Sequence, residues 1–231
     1  MARAQAQRKV NWFAIWISVG VVVVLVVIGG LVVWMNNASS APGPAPQAGH
    51  IDQTTGAIVV GDGEGALDTY IDFMCPICNQ FEQTYGSTIE SLVDDGSITL
   101  NIHPISILNR LSQGTEYSTR AASAMYCVAE TDPDAVIPFM QAMYAQQPEE
   151  NSSGLTDDQI VGIAESAGAA NASDCITSTT YGDFVDTMTK KTPIQPGQQT
   201  ISTPTLAING TVVSNQQVLT GDLDAFKALF Q

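Results

Sequence analysis

The stretch Asp72-Phe73-Met74-Cys75-Pro76-Ile77-Cys78 places two thiols at the junction of an apolar run and a helical pattern. The run from Leu67 to Met74 is rich in strand-forming residues. From Asn79 to Val93, apolar side chains recur at the spacing of one helix face. A strand that leads into a helix through Cys-x-x-Cys is typical of a dithiol that closes into a disulfide and reopens.

The same spacing occurs in zinc sites, where two closely spaced ligand pairs hold the metal. The other cysteines, Cys127 and Cys175, stand apart, and the histidines are His50 and His103. Because no second close pair exists, the sequence favours redox chemistry and predicts no metal site and no cofactor. Structural zinc and an inert disulfide remain the alternatives.

An uncharged N-terminal stretch predicts a transmembrane helix over residues 12–35. No formally charged residue lies between Lys9 and Asp52, and residues 21–27 are all Val or Leu. As a helix this stretch is roughly 35 Å long, which is enough to cross a bilayer core of about 30 Å.

The basic residues before this stretch set its expected orientation. Arg3, Arg8 and Lys9 precede it, whereas the twenty or so residues after it contain no Lys or Arg. The positive-inside rule therefore predicts a single-pass protein of the cell membrane, with residues 1–11 in the cytoplasm and the catalytic domain outside. A cleavable signal peptide is the alternative, but its apolar region is usually only about 7 to 15 residues long.

The rest of the chain is acidic, and its first residues have the composition of a linker. The chain has 8 basic and 23 acidic residues and a net charge of −15. The basic residues at its start have no acidic residue near them, so the acidic residues all lie in the rest of the chain. This balance excludes nucleic acid as a partner and indicates a solvated acidic surface. Residues 36–54 predict a flexible linker, and residues 55–231 have the length of one domain.

Within residues 55–231 the periodicity predicts strands and helices in an α/β order. Strands are expected at 57–60, 67–74, 98–102, 205–208 and 211–213. Helices are expected at 79–93, 116–130, 134–146, 156–166, 175–190 and from Asp222 onward. The Gly-rich segment 61–65 predicts a hairpin turn, and Asn209-Gly210 predicts another.

This order, together with the motif, resembles the DsbA-like thiol-disulfide oxidoreductases of the thioredoxin superfamily, in the membrane-anchored form of Gram-positive and actinobacterial envelopes. The resemblance rests on the quoted stretch with Phe81-Glu82 after it, a helical insertion at about 112–192, and Thr203-Pro204-Thr205-Leu206 before Asn209-Gly210. It implies a thioredoxin fold with an inserted helical subdomain. It also implies that Thr203-Pro204 is a cis peptide beside the cysteines, and that the Thr203 backbone binds substrate.

Each motif residue has its own physical role. A helix N-terminus stabilises a thiolate, so Cys75 is expected to be the attacking and leaving sulfur. Cys78, one turn deeper, is expected to be shielded and to resolve the mixed disulfide. Pro76 suits the first helical turn, where its missing N–H costs nothing. Ile77 can neither donate a hydrogen bond nor carry charge, so it leaves the redox potential open.

The resemblance implies an extracytoplasmic oxidase that introduces disulfides into secreted proteins. Its partners are then unfolded secreted clients and a quinone-linked membrane oxidoreductase that reoxidises it, and a monomer is expected. One alternative reverses the electron flow and makes the protein an isomerase or a reductant, for example in cytochrome maturation. Another alternative is a binding protein or chaperone with an inert disulfide.

The remaining cysteines are expected to be structural. An even cysteine count in an exported domain favours pairing of Cys127 with Cys175, and two buried free thiols are the alternative. His103 ends a predicted strand and is expected to make an ordinary hydrogen bond.

A proton carrier is not evident in the sequence. Many thioredoxin-like proteins have a buried acid six positions before the first cysteine, and here that position is Thr69. The neighbouring carboxylates are Asp68 and Asp72, which share the opposite face of the strand from Thr69. We assign the role to neither.

Overall fold

The computed structural model describes residues 12–38 and 43–230 of the 231-residue chain. The chain divides into two compact units, residues 1–41 and 42–231. The described part of the first unit is the helix α1 (Trp12–Ala38). Across 12–38 and 43–230, no helix combines the length and hydropathy needed to cross a membrane. The predicted transmembrane helix is thus not found there, and the predicted cytoplasmic segment 1–11 lies outside the described residues.

The second unit alternates strands and helices. Its strands are β1 (Ile58–Val60), β2 (Gly65–Ile71), β3 (Ile98–Pro104), β4 (Thr205–Ile208) and β5 (Thr211–Val213). Its α-helices are α2 (Pro76–Asp94), α3 (Tyr117–Thr131), α4 (Val136–Ala145), α5 (Asp157–Ser166), α6 (Ser173–Thr177), α7 (Gly182–Thr189), α8 (Asn215–Val218) and α9 (Leu223–Lys227). Short 3-10 turns cover Asn109–Leu111, Pro133–Ala135, Ala170–Ala172 and Ala228–Phe230.

The five strands form one sheet in the order β1-β3-β2-β4-β5. β2 and β3 are parallel, as a crossover through α2 requires, and the other pairs are antiparallel. Helices α3 to α7 are inserted between β3 and β4. This is the predicted α/β arrangement with a helical insertion.

The Gly-rich segment 61–65 is not the hairpin turn that the sequence predicted. β1 pairs with β3 and not with β2, because β3 lies between them in the sheet. Gly63 passes directly against the backbone of Ile98, where a Cβ would overlap main-chain atoms. The Thr99 hydroxyl donates to the Gly63 carbonyl at 2.9 Å. The glycine is therefore needed for close backbone approach.

The helix predicted at 175–190 is interrupted. It forms α6 and α7, separated by a turn in which Thr179 has φ 48°. A left-handed backbone conformation cannot continue a right-handed helix. The helix predicted at 156–166 begins as expected, because Thr156 and Gln159 form a reciprocal capping box at the start of α5.

The second half of the predicted linker packs on the folded unit. Ile51 is buried, and Ala45 and Ala48 contact the hydrophobic core. The His50 Nε2 atom lies 2.7 Å from the Ala129 carbonyl oxygen. Small apolar side chains between polar residues allow this segment to lie flat on α3, so the folded unit begins before residue 55.

The insertion and the sheet share one hydrophobic core. Nearly every side of α3 is buried, which identifies it as the central helix of the insertion. Phe73, from the opening motif, packs against Phe139 and Tyr144 of α4, with ring centroids 6.4 and 5.2 Å away. The insertion therefore packs directly against the residues that precede the cysteines.

Candidate active site

The two motif cysteines lie at the N-terminus of α2. Cys75 is the N-cap residue, with extended backbone angles, and Pro76 occupies the first turn. Cys75 is 6% exposed, whereas Cys78 is fully buried, and both are free thiols. Cys75 therefore keeps slight solvent exposure, whereas Cys78 lies one turn deeper and has none.

The environment separates the two thiols in acidity. A hydrogen bond with the Cys78 thiol is the main cause that lowers the pKa of Cys75 to about 6. Burial opposes this shift, and Thr203 together with the backbone at Ile77 and Cys78 adds to it. Burial raises the pKa of Cys78 well above its usual range. The Cys75 sulfur can therefore be a thiolate at neutral pH while Cys78 keeps its proton.

Thr203 and Pro204 lie beside Cys75, although 128 residues separate Thr203 from it. β4 pairs antiparallel with β2, and this register places Thr205 opposite Tyr70. The residues just before β4 therefore meet the residues just after β2. The Thr203-Pro204 peptide bond is cis, as the resemblance implied. The Thr203 carbonyl oxygen is 3.5 Å from the Cys75 Sγ.

Asp72 supports the turn that carries Cys75. Its side chain is fully buried, and its two oxygens accept from the backbone N–H groups of Met74 at 2.9 Å and Leu108 at 3.0 Å. Burial raises the pKa of Asp72 to about 6, against these hydrogen bonds. Its negative charge also contributes to the raised pKa of Cys78.

Glu82 is an acid that sequence reasoning did not select. It lines a small cavity between α2 and α4, and Thr69 lines the same cavity. Burial raises the pKa of Glu82 to about 7, against a hydrogen bond with Gln141. The signal was present in the sequence, because Glu82 directly follows Phe81, which is buried on α2.

An open groove runs from the cysteines along α2. It has a volume of about 400 Å³ and lies between α2 and the segment that follows β5. Ile77, at 54% exposure, is at one end, with Phe81, Tyr85 and Leu219 along the groove. The isoleucine between the cysteines is therefore available for contact with a bound chain.

Gln147, which follows α4, connects the insertion to the motif. Its amide nitrogen donates to the carbonyl oxygens of Phe73 at 3.0 Å and Cys75 at 2.9 Å. Its amide oxygen accepts from the Asn79 side chain at 3.1 Å. The insertion thereby holds the start of α2 in place.

The other cysteines and His103 lie in different environments. Cys127 and Cys175 form a disulfide between α3 and α6, with a Cα–Cα distance of 5.7 Å. The His103 Nε2 is 3.0 Å from an Asp68 carboxylate oxygen, and its ring stacks on Tyr70. His103 therefore makes the ordinary hydrogen bond predicted for it. In the part of the chain that the structure describes, no three His, Cys, Asp or Glu side chains are grouped to hold a metal ion.

The chain is similar to a thioredoxin family model and to solved structures of disulfide oxidoreductases. A family model described as thioredoxin matches residues 53–225. The reduced DsbA of Mycobacterium tuberculosis is 27% identical, with a TM-score of 0.61 over 75% of this chain and 97% of that one. The disulfide bond oxidoreductase DsbG of the same organism is 26% identical, with a TM-score of 0.60 over 84% of this chain and 96% of that one.

One curated relative matches about half of this chain. The serine/threonine-protein kinase PknE of M. tuberculosis H37Rv is 35% identical over 117 residues. The match covers 48% of this chain and 21% of the kinase, so the chain spans about a fifth of that relative's length.

Proposed function

The chain belongs to the thioredoxin family, and from this premise we propose that it is an extracytoplasmic oxidase that introduces disulfide bonds into secreted proteins. The structural neighbours are thiol-disulfide oxidoreductases, which supports this class of activity. The observation that carries the proposal is the position of Cys75 at the start of α2 beside Thr203, with the fully buried Cys78 one turn deeper. The lowered pKa of Cys75 and the raised pKa of Cys78 agree with it.

The proposed reaction is a two-step thiol-disulfide exchange. A client thiolate attacks the Cys75 sulfur of the oxidised pair, the Cys75–Cys78 bond breaks, and Cys78 leaves and takes up a proton. A second client thiolate then attacks the client sulfur of the mixed disulfide, and Cys75 leaves as a thiolate. The client loses two electrons and gains a disulfide, and the enzyme is left as a dithiol.

The acidity of Cys75 favours the oxidase direction. A thiolate that is stable at neutral pH stabilises the reduced enzyme and is a better leaving group in the second step. The pKa of Cys75 at about 6 lies below that of an ordinary cysteine, near 8.5. On this argument the domain gives its disulfide to clients. A reductant requires a less stable dithiol.

Clients are proposed to bind at Thr203 and in the groove along α2. The backbone of Thr203 lies next to the Cys75 sulfur, where an extended client segment can pair with it. The groove beside Ile77 offers apolar contacts for client side chains. Unfolded proteins expose both extended backbone and apolar side chains, so this arrangement suits them.

The proposed location is outside the cytoplasm, at the cell membrane. The Cys127–Cys175 disulfide supports this, because stable disulfides occur mainly in oxidising compartments. The uncharged residues 12–35 support a single-pass tether with the N-terminus in the cytoplasm. The enzyme leaves each cycle reduced, so we propose that a quinone-linked membrane oxidoreductase reoxidises it.

The activity is tested with residues 43–231 in refolding of a reduced disulfide-containing protein. We expect the oxidised wild type to accelerate refolding and Cys75→Ser to abolish the acceleration. The matched variant Cys78→Ser keeps Cys75 but cannot form the Cys75–Cys78 disulfide. Prepared beforehand as a Cys75–glutathione mixed disulfide, it is expected to exchange glutathione, released as a thiol, for a client cysteine and to hold that covalent adduct without turnover. Unchanged refolding with Cys75→Ser would leave only a binding role.

The direction is tested by equilibrating the same domain with glutathione buffers. An oxidase is expected nearer to the potential of about −120 mV for DsbA than to about −270 mV for thioredoxin. A value close to thioredoxin's contradicts the oxidase proposal but leaves the oxidoreductase activity intact.

The location is tested by fractionating cells that express the full chain. We expect the protein in carbonate-washed membranes, with Cys75 open to a membrane-impermeant thiol reagent in intact spheroplasts. Release into the soluble exported fraction after N-terminal shortening indicates a cleaved signal peptide instead.

A further inference from the structure

A buried glutamine forms hydrogen bonds with residues on both sides of Thr203. Gln195 lies in the segment between α7 and β4 and is 6% exposed. Its amide nitrogen lies 2.8 Å from the Ser202 hydroxyl, 2.9 Å from the Pro204 carbonyl oxygen and 3.1 Å from the Thr205 hydroxyl. The amide thus bonds to the residue before Thr203 and to the two residues after it.

A second amide side chain completes this support. Asn215, the first residue of α8, donates from its side chain to the Pro204 carbonyl oxygen at 2.6 Å. Its backbone N–H donates to the Gln195 amide oxygen at 3.3 Å. We call Gln195 and Asn215 the amide clamp. Both lone pairs of the Pro204 carbonyl are used by the clamp, and the Gln195 amide is satisfied at both ends.

Thr203 itself is left open for pairing. Within residues 12–38 and 43–230, its N–H makes no hydrogen bond to a backbone acceptor, and its carbonyl oxygen receives only the Cys75 thiol. A strand that adds to an edge needs one such donor and one such acceptor on the same residue. The polar groups on either side of Thr203 are engaged by the clamp, while those of Thr203 are available.

We propose that Gln195 is a positioning residue that holds the Thr203 backbone in register with the Cys75 sulfur, so that an extended client binds with its cysteine at the point of exchange. Asn215 contributes a second hydrogen bond to the same Pro204 carbonyl oxygen. This inference rests on the proposed function, because it concerns how the client chain is held. It assigns Gln195 no contact with the reacting sulfur atoms.

An unfavourable feature of Asn215, an unpaired buried oxygen, is consistent with this role. The Asn215 side-chain oxygen is buried without a hydrogen-bond partner among the described residues. An unpaired buried acceptor is unfavourable. The nitrogen of the same Asn215 amide donates to Pro204, next to the proposed client-binding residue Thr203. The amide therefore keeps this orientation although its oxygen is unpaired.

The test compares a client peptide with a small thiol. Gln195→Met keeps the volume of the side chain and removes its hydrogen bonds, and Gln195→Glu keeps the shape and removes the donor. For both, we expect the KM for an extended cysteine peptide to rise roughly five- to tenfold, as the loss of one or two hydrogen bonds predicts. The rate with reduced glutathione, which has no extended chain to pair, is expected to stay within about twofold of wild type on the same argument.

Gln159→Met is the matched control, because this glutamine caps α5 within the insertion and makes no contact with the Thr203 segment. It is expected to lower the melting temperature without changing the ratio of peptide to glutathione activity. If Gln195→Met does not fold, Asn215→Ala removes the other donor to Pro204 and must show the same selective rise in KM.

Equal losses toward the peptide and glutathione, or an unchanged KM in folded variants, overturn the positioning role while the proposed function stands. A wild type that does not oxidise the peptide at all overturns the proposed function first and this inference with it.

Discussion

The two cysteine pairs of this domain differ in how they are held. Cys75 and Cys78 lie within one turn at the start of α2 and are free thiols with opposite pKa shifts. Cys127 and Cys175 are 48 residues apart and covalently join α3 to α6. The first pair therefore lies within one helical turn, whereas the second links two separate helices.

The surroundings of the pairs differ accordingly. The motif cysteines are near the N-terminal N–H groups of α2, the Thr203 carbonyl and the buried carboxyl group of Asp72. Cys127 is on the helix that is buried on nearly every side. The comparison indicates that polar and titratable neighbours, together with access to one sulfur, distinguish an exchanging pair from a structural one.

Removal of the structural disulfide is expected to have the largest effect on stability. In Cys127→Ala/Cys175→Ala, loss of a closed loop of 48 residues should lower the free energy of unfolding by about 4 kcal/mol. Urea denaturation of the oxidised domain measures this. The thiol reactivity of the folded fraction should remain that of wild type. A variant that keeps its stability but loses Cys75 reactivity would show that the two pairs are not independent.

The difference in acidity predicts a pH profile. In the native reduced domain, alkylation of Cys75 by iodoacetamide should fall about tenfold for each pH unit below its pKa of about 6 and be nearly constant above pH 7. Cys78 should react only on unfolding, because burial raises its pKa and blocks access. Mass spectrometry after timed quenching measures both sites. A Cys75 midpoint near 8.5 contradicts the proposed thiolate.

Glu82→Gln tests the titratable surroundings of α2. Burial raises the pKa of Glu82 to about 7, so its contribution is fully present below pH 4.5 and is lost as pH rises through 7. Glutamine does not ionise, so the variant should match wild type near pH 4 and be more stable by about 2 kcal/mol at pH 8. Urea denaturation across this range measures the slope.

The exposed Glu165 provides the control for that slope, since Glu165→Gln on α5 should leave it unchanged. Asp72, whose pKa burial raises to about 6, contributes a similar loss of stability between pH 4 and 6 in wild type and in both variants. A Glu82→Gln variant less stable than wild type at pH 8 contradicts the buried-acid interpretation.

The smallest expected effect is a shift in the redox potential of the motif pair. In Ile77→His, a ring N–H near the Cys75 sulfur adds a donor that stabilises the thiolate. We expect the potential to become less negative by about 30 mV, which corresponds to about 1.4 kcal/mol for two electrons. Equilibration with glutathione measures it, and Ile77→Val serves as the apolar control. Equal potentials for the two variants would show that the side chain at position 77 does not set the acidity of Cys75.

Local sequence signals predicted most elements of the fold. Alternation and helical spacing located the strands and α2, and Thr156 located the start of α5. The signals failed where distant backbone decided the outcome. The glycines at 61–65 predicted a turn, but a glycine is required at position 63 because the backbone of Ile98 lies against it. The linker composition at 43–51 likewise did not reveal that α3 offers a surface for these residues.

The candidate site shows the same division. Spacing alone identified Cys75, Pro76 and Cys78 as site residues. The family resemblance identified Thr203-Pro204. Residues that act through partners distant in sequence were not found. Gln195 bonds to the segment around Pro204, and Gln147 holds the Cys75 carbonyl from the insertion. A glutamine in a loop has no local pattern that indicates burial.

Local patterns along the chain were enough to predict the α/β order, the redox motif at the start of a helix and the division of the cysteines into two sets. These depend on spacing within a few residues, where propensity and helix geometry suffice. Tertiary structure alone decided the strand order, the contact of Thr203 with Cys75 and the cavity shared by Glu82 and Thr69. The physical reason is that hydrogen bonds and burial depend on which surfaces meet, and only the packed chain determines that.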